Sequence, residues 1–414
     1  TYVLDYAVCG QKYLRNFLKA GEMDTEKLWT GNFITVSVIN FLVFLMHFLL
    51  MVTVASYAVN RFHANTGTAG LVASIFIIGA LIGRFATGHV IEDLGNKRVL
   101  IVGTICFIAT AVLYYAAVTL PLLIIIRLLH GIAHGIASTA TGTIVAKIIP
   151  DRKRGEGIGY YGMSVIMASA LGPFMGIFLL HHADFKVMFL VSSILAVIAF
   201  SISLAVREPA DVIPEQDATG AEKSFQLSNF FETKAMPISI IALILGFSGS
   251  VVMAFISLYT QEIHLEKAAS FYFVVSAMVS LISRPFAGRL FDLRGANFVI
   301  YPCLIIYAIG MLLFSQDSHG ITLLVAGVIL GLSYGNLMSS TQTISIKVVL
   351  PHRFGLATAT YYVFLDLGIA VGPYLLGHLI PLIGYRGMYF MMAIVALATI
   401  PLYHFAHGRK VSTG

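Results

Sequence analysis

Apolar residues along this chain come in long blocks, interrupted by Gly, Pro and clusters of charge. Stretches such as LPLLIIIRLL and SIIALILGF lack the two-residue alternation of a half-buried strand, so they predict helices rather than the strands of a membrane barrel. A helix takes about 20 mostly apolar residues to cross a bilayer. Blocks of that order recur at roughly residues 33–58, 67–90, 99–118, 121–146, 158–180, 186–206, 237–262, 268–290, 298–314, 321–347, 355–380 and 386–405. The pattern predicts an all-α membrane protein with twelve transmembrane helices.

Composition agrees, and charge adds a direction. Of the 414 residues, 58% are hydrophobic and 11% charged, whereas a soluble domain carries about 25% charged residues. With the termini and every second loop assigned to one face, that face holds 19 of the 26 Lys and Arg residues. The opposite loops hold 4 of them, Arg61, Lys186, Lys267 and Arg386. Cytoplasmic loops accumulate Lys and Arg, so both termini are expected in the cytoplasm, with the chain in a cell membrane, taken here as a bacterial plasma membrane. The net charge of +6 therefore reports topology and does not call for nucleic acid. Residues 1–32 hold four acids, four bases and no leader-like apolar run, and read as a cytoplasmic extension; residues 406–414 read as a cytoplasmic tail. The polar, acid-rich stretch 207–236 reads as a cytoplasmic linker between six-helix bundles at 33–206 and 237–405. Cys9, Cys106 and Cys303 lie too far apart in sequence to suggest a disulfide framework.

A shift of 200 residues superposes the two halves without gaps. Arg84 falls on Arg284, Gly88 on Gly288, Gly95 on Gly295, Gly131 on Gly331, Gly135 on Gly335, Lys147 on Lys347, and Gly172-Pro173 on Gly372-Pro373. Apolar matches carry little weight at this composition, but spaced Gly, Pro and Arg in one register do. Internal repeats of this kind predict two pseudo-symmetric bundles facing each other, with a path between them.

Three elements stand out within the repeat. After the second predicted helix comes G-x-x-x-E-D-x-G-N-K-R, from Gly88 through Glu92 and Gly95 to Arg98, with a second copy in Gly288, Leu290, Asp292 and Gly295. The fourth helix carries R-L-L-H-G-I-A-H-G, Arg127 to Gly135, and the fifth carries Gly159-x8-Ala168-x3-Gly172-Pro173-x2-Gly176. In these residues, and over nearly its whole length from about Trp29, the chain resembles the major facilitator superfamily and its twelve-helix drug:proton antiporter branch. The first element is similar to the family's loop motif G-x-L-a-D-r-x-G-r-r, with Glu92 for the usual Asp and Asp93 for the usual base. The second resembles R-x-x-x-G. The third resembles the antiporter motif G-x8-G-x3-G-P-x2-G-G, with Ala168 and Ile177 in place of two glycines. The resemblance implies two six-helix bundles, export rather than uptake, a link between Arg127 and proton transfer, and no cofactor.

The residues themselves point to two kinds of role. Gly172, Pro173, Gly372 and Pro373 place small residues and a missing backbone donor on one helix of each half, which suits a close and movable interface. Glu92 and Asp292 sit at helix ends, where each is expected to pair with Arg84 or Arg284 or to cap a helix, as a latch made in one conformation. An ionisable group within the bilayer costs several kcal/mol unless it is paired or faces water. Among the 20 acids Asp366 alone falls near the middle of a predicted span, and it is expected to face the central path and bind a proton or attract a cation. Arg127 lies within the fourth helix, and its spacing to His130 and His134 places the three on one stripe, read as a polar cavity wall that His47 joins. The His130-x3-His134 spacing has no carboxylate or Cys beside it, so no metal site is expected. Tyr334, Tyr361 and Tyr362 are expected to stack on a substrate near the cavity.

There is no P-loop to use ATP, and no H-E-x-x-H or G-x-S-x-G constellation for an intramembrane enzyme. The expected function is a monomeric secondary transporter that exports small amphipathic, drug-like compounds against protons, with sodium as the alternative ion. The competing reading within the same fold is a proton-coupled exporter of a specific metabolite such as a sugar, siderophore or metallophore.

Overall fold

The computed structural model describes residues 28–150, 153–207, 231–316, 319–350 and 353–409, without the side chains of His89, Glu92, Asp93, 154–156, 354 and 355. The extension before residue 28, most of the 207–236 linker, the last five residues and the Glu92 side chain thus lie outside the described residues. Among those described, every regular element is a helix. In chain order these are α1 (Gly31–Phe62), α2 (Thr66–Leu94), α3 (Asn96–Leu113), α4 (Leu120–Ile148), α5 (Arg154–His182), α6 (Phe185–Leu204), α7 (Met236–Glu262), α8 (Glu266–Arg294), α9 (Ala296–Ser315), α10 (Gly320–Lys347) and α11 (Phe354–Tyr403). Eleven helices among the described residues are long and apolar enough to cross a membrane.

Local chemistry sets where the helices start and turn. Thr30 Oγ1 accepts from the Phe33 N–H at 3.2 Å, and Asn65 Oδ1 accepts from the Thr68 N–H at 2.7 Å, each satisfying an orphan donor of a first turn. Between α2 and α3, and again between α8 and α9, the chain turns on a single residue. Gly95 and Gly295 have φ of 84° and 83°, which a side chain would make strained.

The last helix covers both of the separate spans expected at 355–380 and 386–405. α11 is 50 residues long and is broken at Gly384, whose φ of 70° and ψ of 171° are not helical. A straight helix of that length would reach about 75 Å, more than twice a hydrocarbon core of about 30 Å. The contacts show how the length is folded. Thr360 Oγ1 accepts from the Glu232 N–H just before α7, and Tyr385 packs near Tyr259 at the far end of α7. Beyond the break, Tyr389 meets Phe314 edge-on at the end of α9, and Tyr403 donates to Asn297 Oδ1 at its start. The limb after Gly384 therefore runs back alongside, and one glycine supplies the turn for which the sequence suggested a loop.

The 200-residue register reappears in three dimensions. α2 and α8 span 66–94 and 266–294. Tyr161 donates to Thr141 Oγ1 at 2.9 Å, and Tyr361 pairs with Thr341 at 2.9 Å. Lipid offers little hydrophobic drive for helix association, so tight packing of small residues carries it. A Cβ on Gly131 would press on the Phe76 carbonyl, and one on Gly331 on the Ser276 carbonyl, so α2 crosses α4 as α8 crosses α10. Large apolar side chains such as Ile321, Phe286 and Leu382 are more than 70% exposed, as on a surface that meets lipid tails.

Helices α1–α6 meet α7–α11 along a seam that the described contacts close from one side. Ser56 and Ser257 pair at 2.9 Å, Ser257 donates to the Val52 carbonyl at 2.6 Å, and Thr66 donates to the Gly377 carbonyl at 2.6 Å. Phe174 meets Phe271 at 5.5 Å. These contacts lie at the end of the bundle opposite the Gly95 and Gly295 turns. Toward those turns, Gly88 and Gly288 have nothing within 4 Å of where a Cβ would stand.

Candidate functional site

Where the seam ends, a cavity of about 430 Å³ begins between the two sets of helices. Its wall is mostly apolar and aromatic: Phe44 and Phe48 from α1, Phe76 from α2, and Met253, Tyr334 and Met338 from the other set. Two histidines and two arginines from α1, α2, α4 and α8, and one carboxylate from α11, interrupt that wall. They are His47, Arg84, His134 and Arg284, and Asp366.

Asp366 occupies the position expected of it, on the cavity wall and within a transmembrane helix. Its partner is new. Arg84 Nη1 donates to Asp366 Oδ2, an ion pair that joins α2 to α11 across the two halves. From the sequence, Glu92 and Asp292 are expected either to pair with Arg84 or Arg284 or to cap a helix. Both arginines instead line the cavity, and Asp292 pairs with Lys347 of α10 at 3.1 Å, within one half. The helical rise explains the change: Arg84 stands ten residues, or about 15 Å, before the end of α2, so it sits at the depth of the cavity and not of the loop.

Arg127 is the second relocation. It is fully buried but is not part of the cavity wall. Its Nε and Nη2 donate to the Val72 and Ala73 carbonyls at 3.1 Å each, its Nη1 to the Tyr114 hydroxyl at 3.4 Å, and its guanidinium lies 4.7 Å from the Phe76 ring centroid. Among the described residues no carboxylate pairs with it. Carbonyl oxygens have a second lone pair beyond their helical bond, so Arg127 ties α4 to α2 one layer behind the wall.

The three histidines divide between these layers. His47 and His134 line the cavity with ring centroids 5.2 Å apart, and His47 stacks on Phe76 at 4.5 Å. His130 lies deeper, its Nδ1 paired with the Tyr114 hydroxyl at 3.0 Å. One ring nitrogen of each, Nδ1 of His47 and His134 and Nε2 of His130, is buried without a partner. Among the described residues no group of three His, Cys, Asp or Glu is arranged to hold a metal.

Of the tyrosines, Tyr334 lines the cavity and stacks on Tyr307 at 5.7 Å. Tyr361 does not; its hydroxyl donates to the Met338 carbonyl at 2.9 Å and ties α11 to α10. Tyr362 is exposed beside the cavity, within electrostatic reach of Asp366, Arg84 and Arg284. The motif glycines sit at seams. A Cβ on Gly172 would stand 2.7 Å from Phe48 Cβ of α1, and one on Gly372 would stand 2.8 Å from the Phe247 carbonyl of α7. Pro173 lies inside α5 and Pro373 inside α11, and the Pro373 carbonyl abuts Gly70 of α2.

Glu232 is a residue that sequence reasoning passed over. It falls in the acid-rich linker, yet it is 3% exposed and pairs with Arg353 at 2.5 Å. Its place just ahead of α7 is the only local signal that separated it from the other linker acids.

Against known proteins, the sequence profile of the Major Facilitator Superfamily matches residues 36–316 and 294–412. The chain belongs to the Major Facilitator Superfamily. Within it, the chain is 23% identical over 338 residues to an uncharacterized transporter, MJ1560, of Methanocaldococcus jannaschii, covering 79% of this chain and 86% of that one. It is 25% identical over 358 residues to the multi-drug resistance efflux pump PmrA of Streptococcus pneumoniae, covering 83% and 86%. A solved bacterial homologue of the human lysosomal transporter Spinster, in an inward-facing and unoccupied conformation, shares the fold with a TM-score of 0.76 at 14% identity, covering 92% of this chain and 97% of that one. Superfamily membership makes this a multi-pass membrane protein of a transporter family, and points to transport of small molecules rather than to an enzyme.

Proposed function

We propose that this protein is a secondary transporter that exports small amphipathic compounds in exchange for protons. On this reading there are twelve crossings, with α11 counted as two that meet at Gly384. They form six-helix bundles at 33–206 and 237–405, joined by a cytoplasmic linker at 207–236, with residues 1–32 and 406–414 in the cytoplasm. The bundles rock about the Gly-Pro helices α5 and α11, and the contacts at the Ser56–Ser257 end seal the outer mouth while the Gly95–Gly295 end stands open to the cytoplasm. The efflux names among the relatives support the direction of transport.

One observation carries the coupling: the Arg84–Asp366 pair lies on the cavity wall and bridges the two bundles. An ionised Asp366 holds Arg84 and ties α2 to α11. A proton taken up by the carboxylate removes its charge and releases Arg84, which loosens that tie. A carboxylate that alternates between these states, with the cavity open to one side and then the other, exchanges protons for substrate.

The test is dye efflux from proteoliposomes under an imposed pH gradient. Wild type is expected to accelerate in the gradient. Asp366→Asn keeps the shape and removes the exchangeable proton, so the gradient-driven rate should fall at least about tenfold, the equivalent of about 1.4 kcal/mol. Gradient-independent efflux by wild type overturns the coupling.

A further inference from the structure

The charges facing the cavity do not balance. The described residues of its wall include two arginines, Arg84 and Arg284, and one acid, Asp366, which Arg84 already holds. The imbalance is a property of the repeat. Arg84 and Arg284 are mates in the 200-residue register, but the mate of Asp366 is Ile166, which also lines the cavity. The repeat thus supplies both cations and only one counter-charge.

Arg284 is left over. Its Nε is buried without a hydrogen-bond partner, and it makes no ion pair among the described residues. It stands at the α8–α10 crossing, where the Cβ position of Gly335 is 3.9 Å from that nitrogen. The titratable group within its electrostatic reach is Tyr362, a neutral phenol. The other titratable groups of the wall are the imidazoles of His47 and His134, the phenols of Tyr272, Tyr307 and Tyr334, and Asp366, the one acid, which Arg84 holds. A guanidinium in an apolar wall is costly without a counter-ion, and its planar fork of donors matches a carboxylate. The remaining wall, from Phe44, Phe48, Phe76, Tyr334 and the methionines, offers a flat and deformable surface to an apolar body. A cationic ligand would have to compete with Arg84 for Asp366 while lying beside an uncompensated Arg284.

We infer that the cavity takes an amphipathic organic anion, an aromatic or otherwise apolar body bearing one carboxylate, with that carboxylate on Arg284. This rests on the reading of the cavity as the substrate site and narrows it to one class of charge. The Arg84–Asp366 pair is then free to handle the proton while Arg284 handles the substrate.

The experiment is binding to the purified full-length protein in detergent, by calorimetry and by shift of the thermal unfolding midpoint. The probes are matched pairs of nearly equal shape: indole-3-propionate against tryptamine, and 1-naphthoate against 1-naphthylamine and naphthalene. At least one carboxylate is expected to bind about tenfold or more tighter than its amine or neutral partner. Arg284→Gln should weaken it by about tenfold or more, and Arg284→Lys should restore most of the affinity. Ile166→Asp, which supplies the missing counter-charge without touching Arg284, should weaken the carboxylates and admit tryptamine.

Equal or tighter binding of the amines, carboxylate affinity unchanged in both Arg284→Gln and Ile166→Asp, or no carboxylate binding overturns the inference. A preference for amines leaves the proton-coupled reading standing. Gradient-independent efflux with carboxylate binding intact overturns the coupling alone.

Discussion

The crossing of α2 with α4 and its repeat mate, the crossing of α8 with α10, share a backbone and differ in chemistry. In both, a glycine lets the helices touch through a carbonyl, Gly131 on Phe76 and Gly331 on Ser276. Behind that contact the first half places Arg127, which reaches the Val72 and Ala73 carbonyls. The second half has Gly327 there, and the ring of Tyr272, the mate of Val72, lies 3.0 Å from where its Cβ would be. One half fills the space with an arginine from the later helix, the other with a tyrosine from the earlier one. His130 and His134 likewise face Leu330 and Tyr334 in the register. Repeat symmetry therefore constrains where backbones approach, while the side chains behind and between them are free to specialise.

That comparison can be broken by exchange. Arg127→Gly alone removes a buried side chain of large volume and leaves the Tyr114 and His130 pair without its cation, so it should cost about 3–5 kcal/mol of stability. Adding Val72→Tyr copies the second half into the first and should recover a good part of that loss. A double-mutant cycle on thermal unfolding measures it, and purely additive effects would mean that the two fillings are not equivalent.

Next in size is the shared contact. Gly131→Val and Gly331→Val each force a side chain into a facing carbonyl and should cost about 1–3 kcal/mol. Similar losses in the two halves are expected, and a loss confined to one half would show that only one crossing is tight. The smallest expected effect belongs to the tyrosine ties. Tyr161→Phe and Tyr361→Phe each remove a hydroxyl bonded to Thr141 or Thr341, at about 1 kcal/mol apiece. Tyr361 also donates to the Met338 carbonyl, so the second variant should lose slightly more.

Much of this architecture was legible along the chain because lipid leaves few alternatives. Spans must be long, apolar and hydrogen-bonded within themselves, so Gly, Pro and charge marked nearly every helix end. Even the stretch around Gly384 showed as a break between the 355–380 and 386–405 spans, although what stands there is a single non-helical glycine and not a polar loop. Asp366 was legible as a cavity group because an acid in mid-span has few places to go. Arg127 obeyed the same rule but found backbone carbonyls, a tyrosine and an aromatic face, so burial within a span did not mean exposure to the path. Asp292 shows a different limit: a loop acid has several basic neighbours, and the one it pairs with is Lys347, inside its own half.

The sequence by itself determined that the chain is built from long apolar spans, the 200-residue repeat and the identity of the few charges that fall within those spans. All three are properties of residue type and order, and survive without knowledge of contacts. Only the tertiary structure decided which charge meets which. Arg84 and Asp366 are 282 residues apart and are brought together by the meeting of α2 and α11, while Arg284 has no ion-pair partner among the described residues and the mate of Asp366 is an isoleucine. Pairing depends on distances across helices, and a one-dimensional pattern carries no such distance.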